Sequence, residues 1–103
     1  MTNQRAAIAA GAAIAAMLAA GPAAAQDAGR YLAGNCANCH GTDGVSAGGM
    51  PSLAGQPKAY MVGQMQEFKA GKRPATIMHQ LSKGYTDQQI EMLAEFFSRV
   101  PRK

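Results

Sequence analysis

The clearest pattern in the chain is an amphipathic repeat near its end. From Ile90 to Phe97 the apolar residues recur at positions i, i+3, i+4 and i+7, which is the spacing of one helix face. Thr86 and Gln89 precede this face with the spacing of a capping box, in which each side chain bonds the other residue's backbone N–H. Because Pro101 disfavours helical backbone at the residue before it, the sequence predicts a helix that begins after Thr86 and ends ahead of Pro101.

Two further segments in the second half of the chain have helical character. Apolar residues recur at helical spacing between Tyr60 and Phe68, with a proline at position 57 and a glycine at position 71. Thr76–Lys83 is shorter and carries apolar residues that fit one or two helical turns. No stretch alternates apolar and polar residues with the period of a strand, so the predicted fold class is all-α.

The region before Tyr60 combines a short helix with a long loop. Asp27–Gly34 is expected to be helical, with Asp27 at the N-cap and with Tyr31 and Leu32 supplying apolar contacts. From Gly41 to Gly55 the chain has five glycines, one proline and no period, which predicts a loop of fifteen residues. A loop this long inside a small domain is usually organised around something.

The first 25 residues have the pattern of an export signal rather than of a folded element. A positive charge at Arg5 precedes an uncharged, Ala-rich stretch from Ala6 to Ala20, and a Gly21-Pro22 break leads on to small residues. This order is typical of a secretory signal, with cleavage predicted after Ala25. The alternative is a retained anchor, for which the run is shorter than the ~20 apolar residues of a membrane span. We therefore expect a signal peptide over 1–25, one domain over 26–103, a periplasmic location and no membrane span in the mature chain.

Composition and charge narrow the functions available to that domain. The chain has 103 residues and is 48% hydrophobic, but much of that fraction is alanine in the N-terminal segment. The remainder is one small domain, and domains of this size usually need a staple such as a disulfide, a metal or a partner. Two cysteines exclude a disulfide-dense scaffold, and the length excludes a multidomain enzyme. The net charge of +4 comes from dispersed Lys and Arg without an aromatic platform, so nucleic-acid binding is not expected.

The candidate chemistry lies in the segment Cys36-Ala37-Asn38-Cys39-His40, which has the Cys-x-x-Cys-His spacing of a c-type haem attachment site. In such a site the two thiols form thioethers with the haem vinyl groups, and the turn between them sets the histidine beneath the iron as an axial ligand. A single motif predicts one covalently bound haem c. The rigid apolar haem would also supply the core that the small domain lacks.

Three other uses of these residues compete with haem attachment. A redox Cys-x-x-Cys of the thioredoxin kind expects a βαβ context, which the sequence lacks. A zinc site from Cys36, Cys39, His40 and His79 has the right number of ligands, but Cys39 and His40 would have to bind one ion from consecutive positions. A disulfide between the two cysteines explains neither His40 nor the long loop. Haem attachment accounts for the cysteines, the histidine and the loop together.

The second axial ligand of the iron has to come from elsewhere in the chain. The candidates beyond the motif are the imidazole of His79 and the thioethers of Met50, Met61, Met65, Met78 and Met92. Met50 follows His40 too closely to reach the opposite haem face, and the methionines on predicted helices are better explained by packing. Met78 is favoured because it is 38 residues beyond His40 and just ahead of the final helix. Histidine and methionine ligation leaves no open coordination position, which favours one-electron transfer over small-molecule chemistry.

Two residues of the loop are expected to complete the haem pocket. An iron-bound histidine usually donates its second ring N–H to a carbonyl or carboxylate oxygen, and the backbone oxygen of Pro51 is the predicted acceptor for His40. Leu53 is expected to pack against the haem. The alternative for Pro51 is an ordinary turn residue.

On these residues the chain resembles the small bacterial class I cytochromes c. The resemblance extends from Asp27 to Val100. The matching segments are Cys36–Gly41, the Gly44 turn, Pro51–Gln56, Tyr60, Phe68–Gly71 and Leu93–Phe97. The resemblance implies the class I cytochrome c fold, with short helices and a long Gly-rich loop wrapped around one covalent haem, and it places the family's axial methionine at Met78. It also implies that the first and last helices cross where Gly29 meets Phe96.

A narrower resemblance concerns Thr76–Met78 and Ser82–Asp87, which look like the monohaem cytochrome subunit of flavocytochrome c sulfide dehydrogenase. His79-Gln80 departs from that pattern. In that periplasmic enzyme an FAD-containing flavoprotein oxidises sulfide and passes electrons one at a time to the cytochrome. The resemblance implies an electron carrier that is the haem subunit of a sulfide:cytochrome c oxidoreductase and not an enzyme by itself. The alternatives are a diffusible carrier serving a terminal oxidase or another dehydrogenase, and a haem-based sensor from which Met78 would dissociate.

Overall fold

The computed structural model describes residues 28–102 of the chain. The predicted signal peptide and the predicted N-cap Asp27 lie outside these residues. The described residues form helices, turns and irregular segments and contain no β-strand, so the all-α prediction is confirmed. Within the same residues, no helix combines the length and the apolar character needed to cross a bilayer.

Five helical segments follow one another along the described chain. They are α1 (residues 28–33), α2 (Ala37–His40), α3 (Lys58–Lys69), α4 (Met78–Leu81) and α5 (Asp87–Arg99). Single 3-10 turns lie at Gly34–Cys36, Thr42–Gly44 and Ser82–Gly84. The helices predicted from periodicity are all present, and the segment predicted over Thr76–Lys83 is divided into α4 and the 3-10 turn that follows it.

The core is built around the final helix. The capping box of α5 is complete, because Gln89 N–H donates to Thr86 Oγ1 at 3.1 Å and Thr86 N–H donates to Gln89 Oε1 at 2.9 Å. The predicted apolar face is buried at all four of its positions, Ile90, Leu93, Ala94 and Phe97. Ala33 from α1 and Met61 from α3 pack into the same cluster, so both helices are held against α5.

Two aromatic residues are more exposed than the apolar patterns around them predict. Tyr31 is 86% exposed and Tyr60 is 51% exposed, although each belongs to a segment with apolar periodicity. On α1 the inward face is set by Gly29 and Ala33, which are four residues apart, so Tyr31 projects from the other side. On α3 the buried residue is Met61, about 100° around the helix from Tyr60.

The long loop is fastened to α5 by backbone hydrogen bonds. The Gly44 carbonyl accepts from Leu53 N–H at 2.8 Å and from Ala54 N–H at 3.1 Å, which closes the loop on itself. Gly55 N–H then donates to the Phe97 carbonyl at 2.8 Å. These bonds give the Gly-rich segment a defined path despite its lack of periodicity.

Helices α1 and α5 cross in close contact at Gly29. A Cβ atom placed there would lie 2.7 Å from the Met92 carbonyl oxygen and 3.2 Å from Phe96 Cβ. The glycine therefore lets the backbone of α1 approach α5 where Phe96 packs beside it, as the family resemblance implied.

A pair of alanine substitutions tests this crossing. Gly29→Ala should lower the free energy of unfolding by about 1–3 kcal/mol, because the methyl group would force a packed interface apart. Gly63→Ala is the matched control in α3, where a Cβ meets no atom within 4 Å. It should leave stability unchanged or raise it by up to about 1 kcal/mol, the helix propensity difference between the two residues. Denaturant unfolding of the holoprotein measures both, and a Gly29→Ala protein as stable as wild type would contradict the close crossing.

Candidate haem attachment site

The two cysteines and His40 lie within one turn of helical backbone. The 3-10 turn at Gly34–Cys36 leads directly into α2, and residues three and four apart on a helix are surface neighbours. Cys36 is half-buried against the core, and Cys39 is exposed. Burial raises the pKa of the Cys36 thiol. The segment thus places two sulfur atoms and one imidazole at neighbouring positions of about one helical turn.

A glycine redirects the chain immediately after His40. Gly41 has φ 88°, in the left-handed region, and a Cβ at this position would lie 1.9 Å from the Val45 carbonyl oxygen. Its N–H donates to the Ala37 carbonyl at 3.0 Å and closes α2. Any other residue would clash, so Gly41 is what allows the loop to turn back toward the histidine.

The returning loop brings a carbonyl to the His40 ring. His40 Nδ1 lies 2.7 Å from the Pro51 carbonyl oxygen, which can only accept a hydrogen bond. Nδ1 therefore carries the proton, and in the neutral imidazole Nε2 is left with a free lone pair. This is the tautomer that an imidazole needs in order to bind a metal through Nε2.

Met78 lies on a separate element, as the first residue of α4. It is half-buried, whereas the apolar residues beside it, Ile77 and Leu81, are 52% and 47% exposed. Leu53, the other predicted pocket residue, is half-buried and packs against the core cluster. In the structure His40 therefore contacts the Pro51 carbonyl directly, whereas Met78 lies on the separate helix α4.

The other methionines considered as ligands have different surroundings. Met61 is buried in the core cluster, and the sulfur of Met65 lies 3.7 Å from Ser82 Oγ, which donates to it. Met92 is half-buried and its carbonyl lies at the α1–α5 crossing, while Met50 is 52% exposed. Core packing thus accounts for Met61, and the hydrogen bond from Ser82 occupies the sulfur of Met65.

Within residues 28–102, two buried polar atoms on α3 and α4 are unpaired. His79 Nδ1 and Gln64 Oε1 are buried and have no hydrogen-bond partner among the described residues. Leaving a buried polar atom unpaired costs roughly 1–3 kcal/mol, so native proteins rarely leave one unpaired. His79 follows Met78 on α4, and the two thiols and the imidazole of the motif, together with the Met78 thioether, are a donor set that suits haem c.

The competing uses of the motif find less support in the described residues. Over positions 28–102, no group of three or more His, Cys, Asp or Glu side chains is arranged to hold a metal ion. The βαβ context of a thioredoxin-like motif is missing from the same range, which has no strand. Nothing in the sequence indicated that Lys69 and Tyr85 are in contact, because these residues are sixteen positions apart and no local pattern joins them.

Comparisons with known proteins agree with this chemistry. A family model for cytochrome c matches residues 8–100. Over 75 residues the chain is 40% identical to the cytochrome subunit of sulfide dehydrogenase from Chlorobaculum tepidum. The aligned region covers 73% of this chain and 68% of that protein. It is 42% identical over 81 residues to cytochrome c4 of Pseudomonas aeruginosa, covering 78% of this chain and 39% of that protein.

Among solved structures, cytochrome c4 of Acidithiobacillus ferrooxidans matches with a TM-score of 0.61 at 40% identity, over 63% of this chain and 38% of the other. The chain thus spans about two fifths of the cytochromes c4 that it matches. The family match covers most of the sequence, including the Cys-x-x-Cys-His segment, and the helical fold agrees with the solved relative. The chain therefore belongs to the cytochrome c family, and it is an electron carrier whose cofactor is covalently bound haem c.

Proposed function

We propose that this cytochrome is a periplasmic one-electron carrier. In this proposal it accepts electrons from an FAD-containing sulfide dehydrogenase flavoprotein and passes them to the respiratory or photosynthetic chain. The observation that carries the proposal is the placement of Cys36, Cys39 and His40 within one helical turn, with His40 oriented by its 2.7 Å bond to the Pro51 carbonyl. The haem iron, when bound, takes up and releases one electron between its ferric and ferrous states.

Each site residue has one task in this proposal. Cys36 and Cys39 would tether the haem, and His40 Nε2 and the Met78 sulfur would bind its iron. The Pro51 carbonyl holds the His40 ring in one orientation and one tautomer, which keeps its lone pair aimed at the metal. Because the imidazole and the thioether would both be supplied by the protein, the site would be suited to electron transfer rather than to the binding of a small substrate.

The flavoprotein partner is supported by the similarity to the sulfide dehydrogenase cytochrome subunit, which extends over 68% of that protein. The segment that carries Met78 resembles such subunits from Thr76 to Met78 and again from Ser82 to Asp87. The periplasmic location is supported by the export-signal pattern over residues 1–25.

Isolation from the host tests the partner and the location together. The tagged chain, purified from the periplasmic fraction, is expected to begin at Gln26 and to copurify with a protein that carries flavin absorbance. Anaerobic addition of sulfide should then reduce the haem within the complex much faster than in the separated cytochrome. A monomer that isolates without flavin and gains nothing from the flavoprotein would contradict the subunit proposal.

The alternative is a freely diffusing carrier that serves a terminal oxidase or another dehydrogenase. Dispersed positive charge suits brief docking on acidic partner surfaces. Under this alternative the isolated monomer should be reoxidised by a terminal oxidase without forming a stable complex.

A further inference from the structure

The segment that presents Met78 has little packing of its own. It comprises residues 70–86 between α3 and α5, and Ser82 is its one buried residue. Its ties to the rest of the described chain include polar contacts to α3 and to the cysteine segment. Segments with few buried apolar contacts open more readily than the core, so the position of this one depends on ties to its neighbours.

Lys69 joins the two ends of this segment. It is the last residue of α3, and its Nζ donates to the Tyr85 carbonyl at 2.7 Å and lies 3.6 Å from Asp87 Oδ1. The same carboxylate oxygen accepts from Gln66 Nε2 at 2.8 Å. The hydrogen bond from Gln66 and the charge of Lys69 lower the pKa of Asp87. The start and the end of the segment are therefore tied together by a single ammonium group, which we call the Lys69 clamp.

The end of the segment is also tied to the haem attachment motif. The Tyr85 ring packs against the core cluster, and its hydroxyl accepts from Asn35 Nδ2 at 3.4 Å, one residue before Cys36. Ser82, completely buried, donates to the Met65 sulfur at 3.7 Å. Movement at Tyr85 would therefore disturb contacts to both α3 and the cysteine segment.

We propose that Lys69 is a positioning residue for Met78: by closing the 70–86 segment, its ammonium group holds the methionine where it can bind the iron. This inference rests on the proposed ligation by Met78. Opening the segment would break the charge-assisted hydrogen bond from Lys69 Nζ to the Tyr85 carbonyl. This bond is partly shielded from water, because the Lys69 side chain is only 31% exposed. Removing the ammonium group should let the segment open more often while the ligand set of the closed state stays the same.

Competition by imidazole measures how readily Met78 leaves the iron. Lys69→Met removes the ammonium group but keeps an apolar stem that can pack in its place. In the ferric holoprotein, loss of the far-red thioether-to-iron band on titration with imidazole gives an apparent Kd. We expect Lys69→Met to bind imidazole about tenfold more tightly than wild type, which corresponds to ~1.4 kcal/mol, just below the roughly 1.5–3 kcal/mol typical of hydrogen bonds to charged groups.

The matched control is Lys58→Met. Lys58 Nζ lies 3.2 Å from Glu91 Oε2 and 3.4 Å from Glu95 Oε2, so it also joins α3 to α5, but through contacts outside the 70–86 segment. The control should change the imidazole Kd by less than about twofold, even if both variants lower global stability. Gln66→Leu, which removes the bond to Asp87 and leaves Lys69 in place, should tighten imidazole binding in the same direction by a smaller factor.

The outcomes separate this inference from the proposed ligand set. A wild-type protein without the far-red band would refute Met78 ligation, and the clamp proposal with it. A wild-type band with unchanged imidazole affinity in both Lys69→Met and Gln66→Leu would overturn the clamp alone. An equal gain in Lys69→Met and Lys58→Met would also overturn it, because the effect would then follow from general destabilisation.

Discussion

Replacing both Cys36 and Cys39 by serine is expected to abolish covalent haem binding. A serine hydroxyl does not form the thioether that joins a thiol to a haem vinyl group, so no bond would remain between protein and cofactor. The variant should show no haem on a denaturing gel and should yield its haem to acidic organic extraction, whereas wild type should retain it. Haem that remains covalently bound to the double variant would refute attachment at these two positions.

Single variants serve as controls for the pair. Cys36→Ala and Cys39→Ala should each leave one thioether, so each should retain covalent haem at reduced yield. The double variant should also lose stability, because residues 28–102 bury few large side chains and the haem would complete their core. Circular dichroism and denaturant unfolding of the double variant should therefore show a less cooperative transition than in the holoprotein.

Replacing Met78 by alanine is expected to remove one axial ligand and to open the iron. The far-red band of the ferric protein should disappear, since no thioether sulfur would bind the iron. The reduction potential should fall, because methionine ligation is one of the features that raise it. The reduced variant should bind carbon monoxide at neutral pH, and wild type should not. Survival of the far-red band would refute the assignment of Met78.

Met50→Ala is the matched control for this substitution. Met50 is 52% exposed and lies in the loop close to Pro51, so the loss of its thioether should leave the absorption band and the potential unchanged. If the band disappeared in Met50→Ala and survived in Met78→Ala, the ligand would lie on the loop. Carbon monoxide binding by the wild-type reduced protein would instead favour a ligand sensor, from which Met78 dissociates.

Local sequence determined most of the secondary structure and the chemistry of the motif. The capping box of α5 and its buried face could be predicted because their partners lie within a few residues of one another. The Cys-x-x-Cys-His segment could be interpreted for the same reason, since its three donor side chains lie within one turn. Such features depend on helical spacing alone and not on the path of the rest of the chain.

Contacts between distant residues were harder to predict. The chemistry of an iron-bound histidine called for a carbonyl acceptor, but the turn at Gly41 and the closure of the loop on Gly44 are what bring the Pro51 carbonyl to His40. Tyr31 and Tyr60 belong to apolar patterns and yet are exposed, because the facing surface of α5 selects which side of each helix is buried. Periodicity defines a stripe on a helix, whereas the neighbouring helix decides how much of that stripe is covered.

By itself the sequence determined an all-α chain with one haem attachment motif, because helical periodicity and the spacing within the motif are local properties. Met78 as the second ligand stays a prediction. Only the tertiary structure decided the Lys69 clamp, in which Nζ reaches Tyr85 across sixteen residues, and the bond between Asn35 and Tyr85, which are fifty residues apart. Those contacts depend on how α3 and α5 pack and on where the intervening segment returns. No local pattern encodes that geometry, because it arises only when the described helices pack against one another.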